Sequence, residues 1–347
     1  MKAALLKGIE DLEIAEVDKP KPKEDEILIE VKACAICGTD VKVYHHGHRL
    51  IKFPRVTGHE LSGVIVETGK RVSNFHEGER VMISPVIPCG SCIYCQRGCQ
   101  AMCDELTAIG YHYDGGFAQF MIVPERGVIN GCVHKMPEDL PFEDASLTEP
   151  LACVINGQEL SRLRIGDTVL VIGAGPIGCL HTELAKLSGA SKVILADLEE
   201  ERLKLAQFTG ADFFVNSSSE NLKEKVEEIT NGCMADRVIV AAGSGKAQEE
   251  SLCLVAKMGS IKFFGGLPRE SPNITFNSNV LHYGESFVVG THGSAPYHNE
   301  LALSLIGGGK IKIENYISHR LPLNKLLEGL RLAEERKGLK IVILPWE

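Results

Sequence analysis

Hydrophobic and polar residues follow two different rhythms along the 347-residue chain. From residue 1 to about 150, short apolar runs such as "EILIEVKAC", "LSGVIVETG", "ERVMISP" and "FAQFMIVPE" are separated by Gly, Pro and Asp turns. Strand-length runs with turn residues between them predict a β-rich unit. From about 165 the texture changes, and "DTVLVIGAG" is almost continuously apolar, as in a strand covered on both faces. A helical stretch follows in which Leu180, Leu184 and Leu187 share one face and Gly189 marks the stop. Then come "KVILAD", a helix ending near Gly210, "DFFVN", a third helix, "DRVIVAAG" and "GSIKFFGG". Strands alternating with helices predict right-handed crossovers and a parallel sheet, an α/β fold. Beyond about 290 the rhythm breaks into loops, one late helix near 323–335 and a closing strand in "LKIVILPWE".

The junction between the first buried strand and its helix reads "GAGPIG": Gly173, Gly175, Pro176, Ile177 and Gly178. In that setting the first glycine makes a tight turn, the second lets backbone approach a pyrophosphate, and the third lets helix pack on strand. The helix N-terminus offers free N–H groups and a positive dipole end to the phosphate. Asp197 ends "KVILAD", nineteen residues past Gly178, where an acid bonds the adenosine ribose hydroxyls. A carboxylate there repels a 2′-phosphate, so NAD is expected over NADP, with Arg202 the one nearby residue able to soften the preference. The bland alternative for Asp197 is a cap on the next helix, "LEEERL".

Charge narrows the partners. The net charge is −9 and the lysines and arginines are scattered, which argues against nucleic acid or an acidic membrane surface. No apolar run reaches bilayer-spanning length, and the N-terminus acquires acids at once without a small-residue cleavage site. A cytoplasmic location is therefore expected, in which the twelve cysteines stay reduced and metal binding or catalysis is the better reading of them.

Two groups of side chains carry candidate chemistry. "CGSCIYCQRGCQAMC" holds Cys89, Cys92, Cys95 and Cys103 at C-x2-C-x2-C-x7-C spacing, with Gly90 and Gly98 allowing sharp turns. Four soft thiolates suit a closed tetrahedral zinc that has no position for substrate. An iron–sulfur cluster competes for the same ligands but lacks an evident electron-transfer partner. Cys99 is surplus to the set. The second group is dispersed: Cys37, Thr39 and Asp40 in "CAICGTD", His59 and Glu60 in "GHE", and Glu149 in "TEPL". A thiolate, an imidazole and one or two carboxylates can form an open zinc site with room for water or substrate.

With "CGTD", "GHELSG", the four-cysteine lobe, "DGGFAQF", "EPLA", "GDTVLVIGAGPIG" and the closing "GLKIVI", the chain resembles the zinc-dependent medium-chain dehydrogenase/reductase superfamily over its whole length. Glu149 and "ISHRLPL" resemble the sorbitol (L-iditol) dehydrogenase branch, with threonine dehydrogenase close by. The resemblance implies a GroES-like β-barrel catalytic domain from residues 1–153 and 291–347, including a structural zinc lobe at 89–103. It implies a Rossmann NAD-binding domain at 154–290 with a doubly wound parallel sheet, an active site in a cleft, two zinc ions per chain, and a homo-oligomer, most often a tetramer.

The residue roles follow from the same resemblance. Cys37 and His59 are implied zinc ligands. Glu60 is either a ligand or a partner one step behind, and Glu149 either the fourth ligand or bound through water. Thr39 takes the substrate hydroxyl's proton. Where the family often has a relay histidine this chain has Lys42, leaving Lys42, His45, His46 or bulk water as the exit. The "HHGH" run, ending at His48, is expected as a solvated rim loop, with Tyr44 lining the pocket. The segment 290–300 is expected beside the cleft and offers His292 and His298 but no Arg or Lys, which disfavours a phosphorylated substrate. The implied reaction is oxidation of a polyol's secondary hydroxyl by NAD to give a ketose. Alternatives are L-threonine 3-dehydrogenase, a polyol-phosphate or other secondary-alcohol dehydrogenase, and a non-enzymatic NAD-binding relative.

Overall fold

Strand Ile27–Ala35 is buried at seven of nine positions, and its neighbours explain how the two ends of the chain come together. The computed structural model describes residues 1–268 and 270–347. Along one edge this strand pairs antiparallel with Glu60–Thr68. Its other edge is shared: the first half pairs with Phe120–Val123 and the end, at Cys34 and Ala35, with the C-terminal strand Lys340–Leu344. Lys340–Leu344 in turn pairs parallel with Ile317–Pro322. With Arg80–Ile83 and Val133–Lys135 these make a seven-stranded sheet over a core that includes Ile29, Leu61, Val81, Phe117 and Ile343. Strand pairing thus joins Met1–Ala152 and Gly293–Glu347 into one unit.

The second unit, Cys153–His292, is a six-stranded sheet with every pairing parallel. Its order across the sheet is Phe213–Asn216, Lys192–Asp197, Thr168–Ile172, Ala235–Val240, Val255–Phe263 and Phe287–Gly290. In chain order that is 3-2-1-4-5-6, the doubly wound dinucleotide-binding arrangement with its switch point at the first strand. The strand Thr168–Ile172 is buried at four of its five positions, which accounts for the unbroken apolar run in the sequence. The intervening helices are capped locally: Asn221 accepts the backbone N–H of Lys223 and Glu224, and Ser244 that of Ala247.

Three expectations need correction. Leu187 is 43% exposed, because it is the last residue of helix Pro176–Leu187 and lies beyond the part of the helix that packs. The "HHGH" run is no loop at its start: His45 and His46 form the last turn of helix Gly38–His46. The strand read in "GSIKFFGG" begins earlier, at Val255. Among the described residues no helix is long and apolar enough to cross a membrane.

Candidate active site and metal centres

The cysteine lobe builds its own donor cage. Short helices Ile93–Gln96 and Gln100–Met102 fold the segment back so that the Sγ atoms of Cys89, Cys92, Cys95 and Cys103 lie within 4.8 Å of one another. Cys89 and Cys95 are 3.9 Å apart, as are Cys92 and Cys103. A tetrahedron with Zn–S bonds of about 2.3 Å has edges of about 3.8 Å, so the cage fits zinc. Backbone N–H groups of Ser91 and Cys92 point at Cys89 Sγ and hold its thiol down to about 6. Burial instead pushes Cys95 up to about 12. Crowded thiols that differ in this way ionise together only when a cation neutralises them. Arg126 clamps the lobe, donating to the carbonyls of Pro88 at 2.9 Å and of Glu105. Cys99 is exposed and stands outside the cage.

The dispersed cluster is assembled by the first unit's sheet. Cys37 caps helix Gly38–His46, Glu60 opens the strand that pairs with Ile27–Ala35, and His59 immediately precedes it. Donor atoms of Cys37, His59 and Glu60 converge within 4.8 Å of one another. Glu149 is buried in the first turn of helix Thr148–Ser161, outside that tight group, though its charge acts on both Tyr111 and Lys340. Thr39 is half-buried two residues past Cys37.

Two residues that sequence reasoning left without a role hold this arrangement. Asp40 accepts the backbone N–H of Cys37 at 2.9 Å through one oxygen, and its other oxygen faces His59 Nδ1 at 3.4 Å. A carboxylate behind a histidine fixes the ring and makes it a better ligand. Burial opposes a charge on His59, but Asp40, Tyr111 and Cys37 together outweigh it and hold the imidazole well above its ordinary value. His59 Nδ1 is nonetheless a buried nitrogen without a formed hydrogen bond. An imidazole so placed beside a thiol and carboxylates fits an open zinc site better than a closed apolar core. The second residue is Lys340, only 5% exposed, which donates to the Ile36 carbonyl at 2.8 Å and forms an ion pair with Glu60. Spacing of 280 residues hid this partner from any local pattern.

The neighbouring side chains differ from expectation. Tyr44 points its hydroxyl to the Glu10 carbonyl and packs beside Leu6, Val43 and Ile51. Its neighbour His45 has both ring nitrogens engaged, Nδ1 with Glu10 at 2.7 Å and Nε2 with Glu334 at 3.3 Å. Lys42 and His46 are exposed. His298 is buried and accepts the Ala295 N–H at 2.9 Å, so it caps helix Pro296–Gly307, while His292 is exposed. The aromatic group beside the cluster is Tyr111, absent from the sequence reading. Burial lifts its phenol well above the ordinary value, and the charges of His59, Asp40, Cys37 and Glu149 all act on it.

In the second unit the glycine loop has the expected necessity. Gly173 has φ +110°, and a Cβ on Gly178 would sit 1.7 Å from the Gly173 carbonyl oxygen. Pro176 and Ile177 begin the helix between them. Asp197 accepts the Ala174 N–H at 2.6 Å and the Glu199 N–H at 2.9 Å, so its carboxylate ties the end of the second strand to the loop. Arg202 is buried, with a guanidinium nitrogen 3.2 Å from where a Cβ on Gly175 would lie. The loop, the acid and the guanidinium together fit a dinucleotide.

A split sheet unit bearing two donor clusters and a separate 3-2-1-4-5-6 unit define a metal-dependent, dinucleotide-binding oxidoreductase. Residues 23–138 match the alcohol dehydrogenase GroES-like domain, and residues 176–307 match the zinc-binding dehydrogenase family. Sorbitol dehydrogenase of Bombyx mori is 35% identical, the match covering 98% of this chain and 97% of that protein. L-threonine 3-dehydrogenase of Pyrococcus furiosus is 34% identical, covering 96% of this chain and 94% of the relative. The crystal structure of a zinc-binding dehydrogenase from Sinorhizobium meliloti 1021, bound to NADP, superposes with a TM-score of 0.92 at 31% identity, covering 99% of both chains. The chain belongs to the zinc-dependent medium-chain dehydrogenase/reductase superfamily, in its sorbitol dehydrogenase-like branch. It is an alcohol or polyol dehydrogenase that uses zinc and a nicotinamide cofactor and acts on a small molecule.

Proposed function

We propose that this enzyme oxidises a secondary hydroxyl of a polyol of the sorbitol or L-iditol kind to a ketose, with NAD as acceptor. The observation that carries the reading is the mixed donor set of half-buried Cys37 with buried His59 and Glu60, backed by Asp40 and Lys340. Residues 1–153 and 291–347 then form the catalytic domain, and residues 154–290 the NAD-binding domain.

Zinc bound at the cluster would supply the positive charge that lets a secondary hydroxyl ionise near neutral pH, and a bound nicotinamide would be the hydride acceptor. Cys37 and His59 bind the metal, with Asp40 orienting both by its two oxygens. Glu60 stands as the third donor, its charge balanced by Lys340, and Glu149 acts through a water. Carboxylates make this a harder ligand set than thiolates alone, suited to an oxygen-rich substrate. Thr39, in the first turn after Cys37, takes the hydroxyl's proton, which leaves through Lys42, His45, His46 or bulk water. Cys89, Cys92, Cys95 and Cys103 hold the second zinc as a staple of the lobe.

Gly173, Gly175, Pro176, Ile177 and Gly178 receive the pyrophosphate at the helix N-terminus. Asp197 bonds the ribose and favours NAD, with Arg202 beside Gly175 facing the phosphates. By family resemblance the enzyme works as a tetramer in the cytoplasm.

The test is NADH formation at 340 nm with sorbitol, xylitol, L-iditol, galactitol, myo-inositol and L-threonine, run with NAD and with NADP. Polyol turnover with NAD preferred is the expected result. Turnover of threonine alone moves the substrate assignment to the threonine branch, and preference for NADP removes the ribose role from Asp197.

A further inference from the structure

Residues 107–117 form a loop that is fastened to the backbone leading into His59. Gly115 N–H donates to the Val56 carbonyl at 2.8 Å, Gly116 to Gly58 at 2.9 Å and Phe117 to Thr57 at 3.0 Å. The contact is as close as backbones allow, since a Cβ on Gly115 would lie 2.2 Å from the Gly58 oxygen. At the head of this loop, Gly110 donates to the Tyr113 carbonyl, and His112 Nδ1 accepts the Ala108 N–H at 3.1 Å. The loop therefore presents Tyr111 to the metal cluster in a fixed position.

The ring of Tyr111 is held on three sides. It lies 5.8 Å from the His59 ring, centroid to centroid, and meets His48 edge-on at 5.1 Å. It also packs against the apolar group Leu6, Val43 and Ile51. Its hydroxyl has no hydrogen-bond partner among the described residues, although four charged groups of the cluster act on it. A rigid phenol fixed beside the donor cluster can offer its hydroxyl to a ligand.

We propose that Tyr111 is a specificity-determining residue whose phenol hydroxyl binds a substrate hydroxyl other than the one being oxidised. This rests on the reading of the site as a polyol dehydrogenase. The phenol can both donate and accept, as a polyol hydroxyl can, so the pair is satisfied whichever proton is shared. A simple secondary alcohol makes no such bond and leaves the phenol unpaired. The site thereby favours substrates with a second hydroxyl.

Tyr111→Phe removes only the oxygen and keeps the ring on His59. Zinc-loaded wild type and Y111F are compared on sorbitol, on 2,3-butanediol and on 2-butanol, with the Kd of sorbitol measured by calorimetry in the presence of NADH. The expected result is a roughly tenfold rise in KM and Kd for sorbitol, the size of one neutral hydrogen bond, with kcat within about twofold. Turnover of 2-butanol stays at the wild-type level. Equal losses on the diols and 2-butanol would show that Tyr111 acts only by holding His59, and an unchanged sorbitol KM and Kd likewise overturn the proposal. If the wild type turns over L-threonine and no polyol, the polyol reading fails and takes the proposal with it. Polyol turnover with an indifferent Y111F overturns Tyr111 alone.

Discussion

The two donor clusters of the first unit are built in opposite ways. The cysteine cage is complete within residues 89–103, and its spacing is set by local turns and by backbone N–H groups aimed at sulfur. The Cys37–His59–Glu60 cluster draws on a helix cap, a strand start and, behind them, a lysine on the last strand of the chain. Arg126 braces the cage from outside through the carbonyls of Pro88 and Glu105. In the second cluster two of the three donors have a charged partner, Asp40 behind His59 and Lys340 behind Glu60. A closed four-sulfur shell satisfies its own donors once the ion is present, whereas an open site must hold its geometry with a coordination position left for substrate.

The contrast is sharpest in turnover. Cys37→Ser is expected to cut kcat by about a thousandfold or more, the loss of several kcal/mol of charge stabilisation, while the fold persists. Elemental analysis should then find one zinc per chain in place of two. Wild-type turnover with full zinc content would remove Cys37 from the site. Next in size is Lys340→Met, which leaves Glu60, only 1% exposed, as an unpaired buried carboxylate. Its expected cost is about 3–5 kcal/mol in denaturant unfolding, because breaking a buried pair strands the other charge. A negligible loss would mean that Glu60 finds its compensation in the metal itself.

Cys89→Ser tests the other cluster. It should lower the melting temperature by roughly 5 °C or more, as would gentle chelation of the lobe, while turnover per folded molecule holds. The neighbouring Cys99→Ser should leave the melting temperature within about 1 °C, since Cys99 is outside the cage. A large effect there would enlarge the ligand set.

A third buried polar group, in the second unit, shows what happens without a metal donor set. His181, Lys262 and Gln158 each carry a buried nitrogen or oxygen with no hydrogen-bond partner. Burial, helped by the charge of Lys262, holds His181 down to about 3, below its ordinary value. The unfolded chain therefore binds a proton that the folded one refuses between pH 3 and the unfolded value near 6.5. Stability should fall as pH drops through that window, by up to about 1.4 kcal/mol per pH unit from this one residue. His181→Gln should flatten the slope of unfolding free energy below pH 6.5, and an unchanged slope would assign the acid sensitivity elsewhere.

These differences also explain what could be read from the chain. Periodicity determined the β-rich first half, the alternating second half and the parallel sheet, since side-chain period and strand burial are local properties. The "GAGPIG" turn and the cysteine spacing were legible for the same reason: the geometry they demand lies within a few residues. The partners of Tyr44 and His45 were not legible because helix Gly38–His46 turns them towards Glu10 and Glu334, a packing decision that composition does not encode. Tyr111 was invisible because its closeness to His59 depends on a loop pressed against Gly58. By itself the sequence determined the elements, the fold class and the chemical types of donor available. Only the tertiary structure decided which carboxylate stands against Lys340, which imidazole faces Asp40 and which phenol lies against His59. Partners far apart in the chain meet through strand pairing and packing, and no periodic pattern records where such surfaces close on one another.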